Sequence, residues 1–467
     1  MADAYVIGDG IAALAAALEL AEVGLAVRVA PNGAREDPLS RDGVRSSAGA
    51  YDAGGVLDPD GGFAAFMEYV ASPLTEDGRA GAEALPSRLA ARPALLRSTK
   101  GEWVPQPTPA VFGIPAVPMA QESIAVLGSS GAMRATLDRV KPVLTIGKTH
   151  ELGTLVRSRM GRTALERLVD PLVRDRFGVG ADQVDVALAA PGLNEALTRA
   201  GSLSGAVLAY ADREVARETR VLAAQGWETF YYALRTRLAL YGVEFAEGRV
   251  EQVRADDEGW SITESGGHEI SARAVVVEFA ATGEAEFPAS ASGIAGELGQ
   301  LRPSEWRVYA GVEIEEPGLP EEHLDLPAVQ LADLADGSRW SVRAERDDRG
   351  TWWARIAGPT FSPDAAHTPE ALDSLKAERA AHAQEALRDA GLRARAGSAP
   401  ALSLRAAPYA TLDRRDAEAA RLEVWRAADH DLLPVGGALH GDDLAASIVD
   451  ARAAAVHLRR RLTGIAE

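Results

Sequence analysis

The residues best suited to chemistry stand at the start of the chain. Gly8-Asp9-Gly10-Ile11-Ala12-Ala13 follows the apolar run Tyr5-Val6-Ile7 and precedes Leu14, Ala17, Leu18 and Ala21 at helical spacing. Gly24 stops the helix, and Leu25 to Ala30 reads as a second strand. Strand, GxGxxA turn, helix and strand together form the context in which a dinucleotide pyrophosphate is held. Gly8 permits the tight turn, Gly10 lets the backbone approach the phosphates, and Ala13 keeps helix and strand close. With Ile11 and Ala12 these residues open a helix whose N–H groups and positive dipole end face an anion. The alternative from the residues alone is a βαβ unit of the same shape that binds no nucleotide. An acidic residue normally closes the second strand to accept the ribose hydroxyls. Ala30-Pro31-Asn32 stands there, and of these only the Asn32 side chain can accept such a bond.

Other chemistries find little support. The eight histidines show no HxxH, HxH or HExxH spacing, so no metal site is expected. There is no GxSxG elbow and no Ser–His–Asp arrangement. The absence of cysteine excludes disulfides, thiolate metal sites, iron–sulfur clusters and thiol catalysis. Trp340, Trp352 and Trp353 can stack on a flat ligand, but aromatics in strands are more often core. Arg459-Arg460-Arg461 reads as a helix end offsetting its own dipole.

The elements that position the opening turn lie far apart in a chain of 467 residues, a length that suggests two to four domains. Hydrophobic residues at 47% and charged residues at 25% are globular values. Asp+Glu at 68 against Lys+Arg at 49 gives a net charge of −19, which repels nucleic-acid backbones and anionic lipid. The first apolar stretch carries Asp9, Glu19, Glu22 and Arg28 and is neither a signal peptide nor a membrane span. A soluble, cytoplasmic protein without a transmembrane segment is expected. Residues 62 to 100 read as helical with breaks, followed by an extended, Pro-rich stretch from Trp103 to Met119. From Gln121 to Arg199 the pattern is mostly helical, with Leu152, Leu155, Val156, Leu165, Leu168, Val169 and Leu172 at three- and four-residue intervals. A helix from Thr229 to Tyr241 leads into short strands at 243–245, 250–253, 260–263 and 275–279. A hairpin pairs Trp340–Glu345 with Thr351–Ala357, and a helix follows from Pro369 to Ala390. The chain ends in a strand from Leu432 to Val435, a Gly-rich turn and a helix from Leu444 to Leu462.

These motifs, in this order, resemble the soluble bacterial protoporphyrinogen/coproporphyrinogen oxidases within the flavin amine-oxidase superfamily. The GxGxxA start is similar, as is Asp52-Ala53-Gly54-Gly55. Gly101-Glu102-Trp103-Val104-Pro105-Gln106-Pro107 with Phe112-Gly113-Ile114-Pro115-Ala116 resembles the family's "G-x-L-x-P-L-P … G-V-P-A-D" stretch. Leu155–Gly161 and Leu168–Leu172 resemble its "V-x-R-R-x-G … L-V-D-P-L" helices. Gly436 to Ala453 resembles its C-terminal flavin segment. The resemblance implies an α/β (α+β overall) fold. A Rossmann-like FAD-binding domain would be discontinuous over 1-70, 205-282 and 410-467, with a mainly helical insertion over 71-204 and a mixed β-sheet substrate domain over 283-409. It implies an FAD-dependent oxidation of a porphyrinogen, coproporphyrinogen III or protoporphyrinogen IX, with O2 as acceptor in haem biosynthesis, the protein orienting the macrocycle. The cofactor residues it implies are Gly8, Gly10, Ile11, Ala12, Ala13, Asn32, Gly54, Gly55, Val250, Gly436, Gly441, Asp443 and Leu444. His440 lies in the same C-terminal turn, as a surface residue or as a contact to flavin or substrate. No catalytic side chain is assigned.

The chain departs from that pattern where chemistry would occur. Pro31 replaces the ribose carboxylate, and no R-x-G-G-[KR] run follows it. The family's "G-G-[ML]-G-T-L" turn appears as Gln225-Gly226-Trp227-Glu228-Thr229-Phe230. Its "L-G-G-x-Y-A-G" substrate loop appears as Val173-Arg174-Asp175-Arg176-Phe177-Gly178. There Arg174, Arg176 and Phe177 are substrate-side candidates: the arginines either pair with propionates or belong to a solvated loop. Asp443 stands where a glycine faces the flavin, and a carboxylate there opposes the charge of a reduced ring. The second expectation is therefore a flavin-free homologue serving as a binding or scaffold protein, with a protein partner in place of a small-molecule substrate.

Overall fold

The computed structural model describes residues 1–31, 55–73, 84–89, 92–143, 149–214, 220–256, 259–279, 298–347, 349–362, 369–428 and 431–464. The fold is mixed α/β, and the chain divides into two compact units. The first comprises Met1–Leu89, Arg217–Pro303 and Asp416–Glu467, and the second Ala90–Ala216 and Ser304–Arg415. The helical stretch 71-204 and the sheet stretch 283-409, expected as separate domains, lie mostly together in the second unit.

The first unit is organised by a sheet of β1 (Ala2–Ile7), β2 (Val27–Ala30), β3 (Glu244–Phe245), β4 (Val250–Asp256), β5 (Gly259–Glu264), β6 (Glu269–Glu278) and β7 (Leu432–Val435). β1 lies between β2 and β6, parallel to both, in registers that place Val6 beside Val29 and Ile7 beside Val277. β7 continues the parallel set along the second half of β6, while its first half pairs antiparallel with β5, and β5 with β4. Buried parallel strands read as unbroken apolar runs, which is why Ala4–Ile7, Ala274–Val277 and Leu432–Val435 lack alternation.

Helix α1 (Ile11–Ala21) is buried along its whole length, and its alanines let it lie close to the C-terminal helix, numbered α4 below. Glu19 on α1 is buried but paired, accepting from Arg452 at 2.7 Å and Arg459 at 3.0 Å. Arg459 thus does more than offset a helix dipole. Helix α2 (Gly62–Ala71) and helix α3 (Trp227–Leu240) complete the core with an aromatic cluster. Trp227 stacks on Phe63 at 5.8 Å, and Phe230 meets Phe63, Phe66 and Trp227 edge-on. Helix α4 (Leu444–Leu462) ends the described chain.

The second unit has a seven-stranded sheet in the order Ala401–Ala406, Trp306–Glu313, Trp352–Ala357, Arg339–Arg346, Ala328–Asp333, Leu95–Arg97, Trp103–Pro105. One face packs Val308, Val312, Trp340, Val342, Trp352 and Ile356 against Ala383, Ala386 and Leu387 of the helix Pro369–Asp389. Trp340, Trp352 and Trp353 are all buried, with Trp340 bonded to Ser338 and Trp353 to Asp347. The helical part of this unit buries Leu152, Leu155, Val156, Leu165, Leu168 and Val169 in a second core that also takes in Leu96 and Val329 of the sheet. Two expectations are corrected. Among the described residues of 62 to 100 the α-helix is Gly62–Ala71, and Pro86–Leu89 and Leu95–Arg97 are strands because they find partners in Arg220–Ala223 and Trp103–Pro105. A helix that the periodicity had not marked, Leu412–Arg426, precedes β7. Among the described residues no helix is long and apolar enough to cross a membrane.

Candidate functional site

The turn between β1 and α1 has the geometry its sequence requires. The Gly8 N–H donates to the Ala30 carbonyl at 2.9 Å, locking β1 to β2, and Gly8 has φ +125°, a conformation suited to glycine. Gly10 is extended and serves as N-cap of α1 without a side chain of its own to cap it. Ile11, Ala12 and Ala13 are fully buried in the first turn.

The chain itself supplies the acceptor for this turn. Glu278, the last residue of β6, is 2% exposed, and its carboxylate accepts from the Gly10 N–H at 3.1 Å. The register of β1 and β6 puts Glu278 immediately beyond the Ile7–Val277 pair, beside Gly8. A Cβ on Gly8 would fall inside contact distance of the Glu278 Cβ and Oε2, so Glu278 occupies the space above the turn. A second buried acid, Asp9, accepts from the Tyr231 hydroxyl on α3 at 3.1 Å. Burial, then the Asp9 carboxylate, pushes the Tyr231 hydroxyl above its ordinary range, so it remains a donor. Sequence reasoning missed Glu278. Its one signal is a lone acid ending the apolar run Ala274-Val275-Val276-Val277.

The C-terminal turn is likewise satisfied internally. Gly436, at φ +122°, has no room for a Cβ because the Phe279 carbonyl lies against it, and the same carbonyl accepts from Ala438 at 3.3 Å. Gly441 is left-handed at φ +61°. Asp443 is the N-cap of α4 and accepts from the Ala446 N–H at 3.0 Å, with Leu444 buried behind it. His440 bonds Asp450 on α4 at 3.1 Å, and Arg426 grips the same carboxylate at 2.7 and 2.8 Å. Burial raises the Asp450 carboxyl, but Arg426 and His440 outweigh it and hold the group well below the usual range.

The remaining candidates are more dispersed. Asn32 and Gly54 lie outside the described residues. The Gly55 carbonyl accepts from Arg220 at 3.0 Å, and Val250 opens β4 opposite Glu264. Arg174, Arg176 and Phe177 are not in a loop but in the helix Asp170–Phe177 of the second unit. Arg174 is bonded to Asp170 at 2.7 Å, the Arg176 guanidinium lies 6.0 Å over the Phe177 ring, and Phe177 is buried against Phe112. The C-terminal carbonyls of that helix, at Arg174, Asp175 and Arg176, all accept from the buried Arg307. Burial opposes ionisation of Asp175, but paired Arg343 more than compensates and keeps its carboxyl below the ordinary range. Among the described residues no three His, Asp or Glu side chains come together to hold a metal.

A dinucleotide does not fit these residues. Its pyrophosphate would need the Gly10 N–H and the space over Gly8, and a buried anion already has both. Two anions cannot share one desolvated helix terminus without several kcal/mol of repulsion, on the order of 4 kcal/mol at 4 Å in a protein-like medium. Among the described residues, Glu278 and Asp443 serve as acceptors at the starts of α1 and α4.

No family model matches the chain, and no curated protein matches it in sequence. Solved structures do. The chain is similar to a candidate protoporphyrinogen oxidase from Exiguobacterium sp. 255-15, with 15% identity and a TM-score of 0.61 over 98% of each chain. It is similar to reduced UDP-galactopyranose mutase, with 15% identity and a TM-score of 0.54 over 100% of this chain and 96% of that one. An oxidoreductase from Methanosarcina mazei is similar at 13% identity and a TM-score of 0.51, over 96% and 99% of the two chains. Identities this low with such coverage show that the chain shares the fold of these proteins along nearly its entire length.

Proposed function

We propose that this chain is a flavin-free binding or scaffold protein built on a flavin-oxidase fold. The observation that carries the reading is the Glu278 carboxylate on the Gly10 N–H, where the fold would place a pyrophosphate. Asp443 supports it, since its carboxylate caps the helix that the resemblance assigns to the flavin. Pro31 supports it too, leaving the second strand without a carboxylate for the ribose. A second reading is an FAD-dependent oxidase of the porphyrinogen type with O2 as acceptor. The likeness to the Exiguobacterium protein over 98% of the chain favours it. Absorbance separates the two. The purified protein is expected to show no visible flavin bands and to retain no FAD after incubation and desalting. Flavin recovered at one equivalent per chain refutes the first reading. Porphyrin fluorescence appearing from coproporphyrinogen III would then establish the second.

A further inference from the structure

We propose that one side chain, Glu278, closes a turn whose backbone is that of a dinucleotide cradle, so that its neutral replacement restores binding of an ADP-bearing ligand. The inference rests on the flavin-free reading above and concerns the part that Glu278 plays in it. The backbone of the cradle is retained: β1 ends at Ile7, Gly8 has φ +125°, and Gly10 is an extended N-cap at the head of an eleven-residue buried helix. What fills it is the same kind of atom that a pyrophosphate would bring, an anionic oxygen 3.1 Å from the Gly10 nitrogen.

The placement is specific. Glu278 comes from a strand 268 residues away in sequence and reaches Gly10 only because β6 lies beside β1 in the register that pairs Ile7 with Val277. The side chain is 2% exposed, so it holds the position as a packed group and not as a surface acid passing over it. Gly8 has no room for a Cβ because Glu278 packs against it, and its φ of +125° calls for glycine independently. A site worn away by drift would leave its donors facing unrelated side chains. Here a donor of the turn meets a carboxylate, the ligand's chemical equivalent.

The test is calorimetric titration of the full chain and of Glu278→Ala with ADP and with FAD. Glu278→Ala is expected to bind both at least tenfold more tightly than the unaltered chain. Where Glu278→Ala does not fold, Glu278→Thr carries the same test, because threonine is a good strand former and too short to bring a carboxylate to Gly10. Equal, tight FAD binding by the unaltered chain and the variant overturns the proposal and the flavin-free reading together. Failure of a folded variant, judged by far-ultraviolet circular dichroism and melting, to bind either ligand overturns the proposal alone. The flavin-free reading then stands with its cause elsewhere in the site.

Discussion

Arg159 lies on the helix Leu152–Met160 and is paired with the buried Asp138. Asp138 is completely buried and accepts four bonds: from Arg159 at 2.9 Å, from the Leu203 and Ser204 N–H groups at 3.0 and 2.8 Å, and from the Ser204 hydroxyl at 3.1 Å. It therefore caps the helix Leu203–Glu214 and neutralises a guanidinium that is itself 5% exposed. Asp138→Ala removes the cap, worth about 1 kcal/mol, and strands a buried cation, a loss of about 3–5 kcal/mol when one partner of such a pair is deleted. Arg159 keeps bonds to the Lys141 and Pro142 carbonyls, which places the total near the lower end, about 4 kcal/mol. Arg159→Ala leaves Asp138 with its three other donors and should cost less, about 2 kcal/mol. In the double variant no buried charge is left uncompensated, so the two losses should fall short of additivity by about 2 kcal/mol. Urea unfolding followed by circular dichroism gives the three energies. Hydrogen exchange over residues 203–214 shows whether the loss is centred on the capped helix. Additivity within about 0.5 kcal/mol would refute the reasoning, because it would mean that cation and carboxylate do not depend on each other.

Two further outcomes follow from the first unit. Asp443→Ser should match the unaltered chain within about 0.5 kcal/mol while Asp443→Ala loses about 1 kcal/mol, and equal melting of both variants would show that the side chain does not cap α4. Asp450, whose folded pKa is depressed, contributes stability that is fully present above its unfolded value of about 3.9 and is lost as pH falls below it. Asp450→Asn should therefore cost about 2 kcal/mol at neutral pH, with the gap to the unaltered chain narrowing below about pH 4; a pH-independent gap would contradict the assignment.

Local patterns proved legible where a single element carried them. Leu432–Val435 and Leu444–Leu462 have the bounds their sequence implies, because a short apolar run and a capped 3.6-residue period are each complete in themselves. The hairpin Arg339–Arg346 with Trp352–Ala357 is equally local. Pro86–Leu89 and Leu95–Arg97 were not legible as strands, since what makes them strands is their hydrogen-bonding partners. The same limit hid the decisive residue of the candidate site. The GxGxxA turn can be read from six consecutive residues, but its occupant sits 268 positions downstream, and only the pairing of β1 with β6 brings the two together.

That distinction also reframes the acidity of the chain. Several of its carboxylates serve as anions for helix N-termini. Asp58 accepts from Phe63 and Ala64 at the head of α2, Asp443 caps α4, Asp138 caps Leu203–Glu214, and Glu278 meets α1 at Gly10. Asp58 and Asp443 act within a few residues, whereas Asp138 and Glu278 act across the fold. Each satisfies donors that a helix start leaves open and places negative charge at a positive dipole end. At α2, α4 and Leu203–Glu214 such a cap has no competitor. At α1 the acceptor comes from the neighbouring strand β6. Gly8 and Gly10 thus keep the backbone of the turn, while a donor at its head is satisfied by a carboxylate from a neighbouring strand.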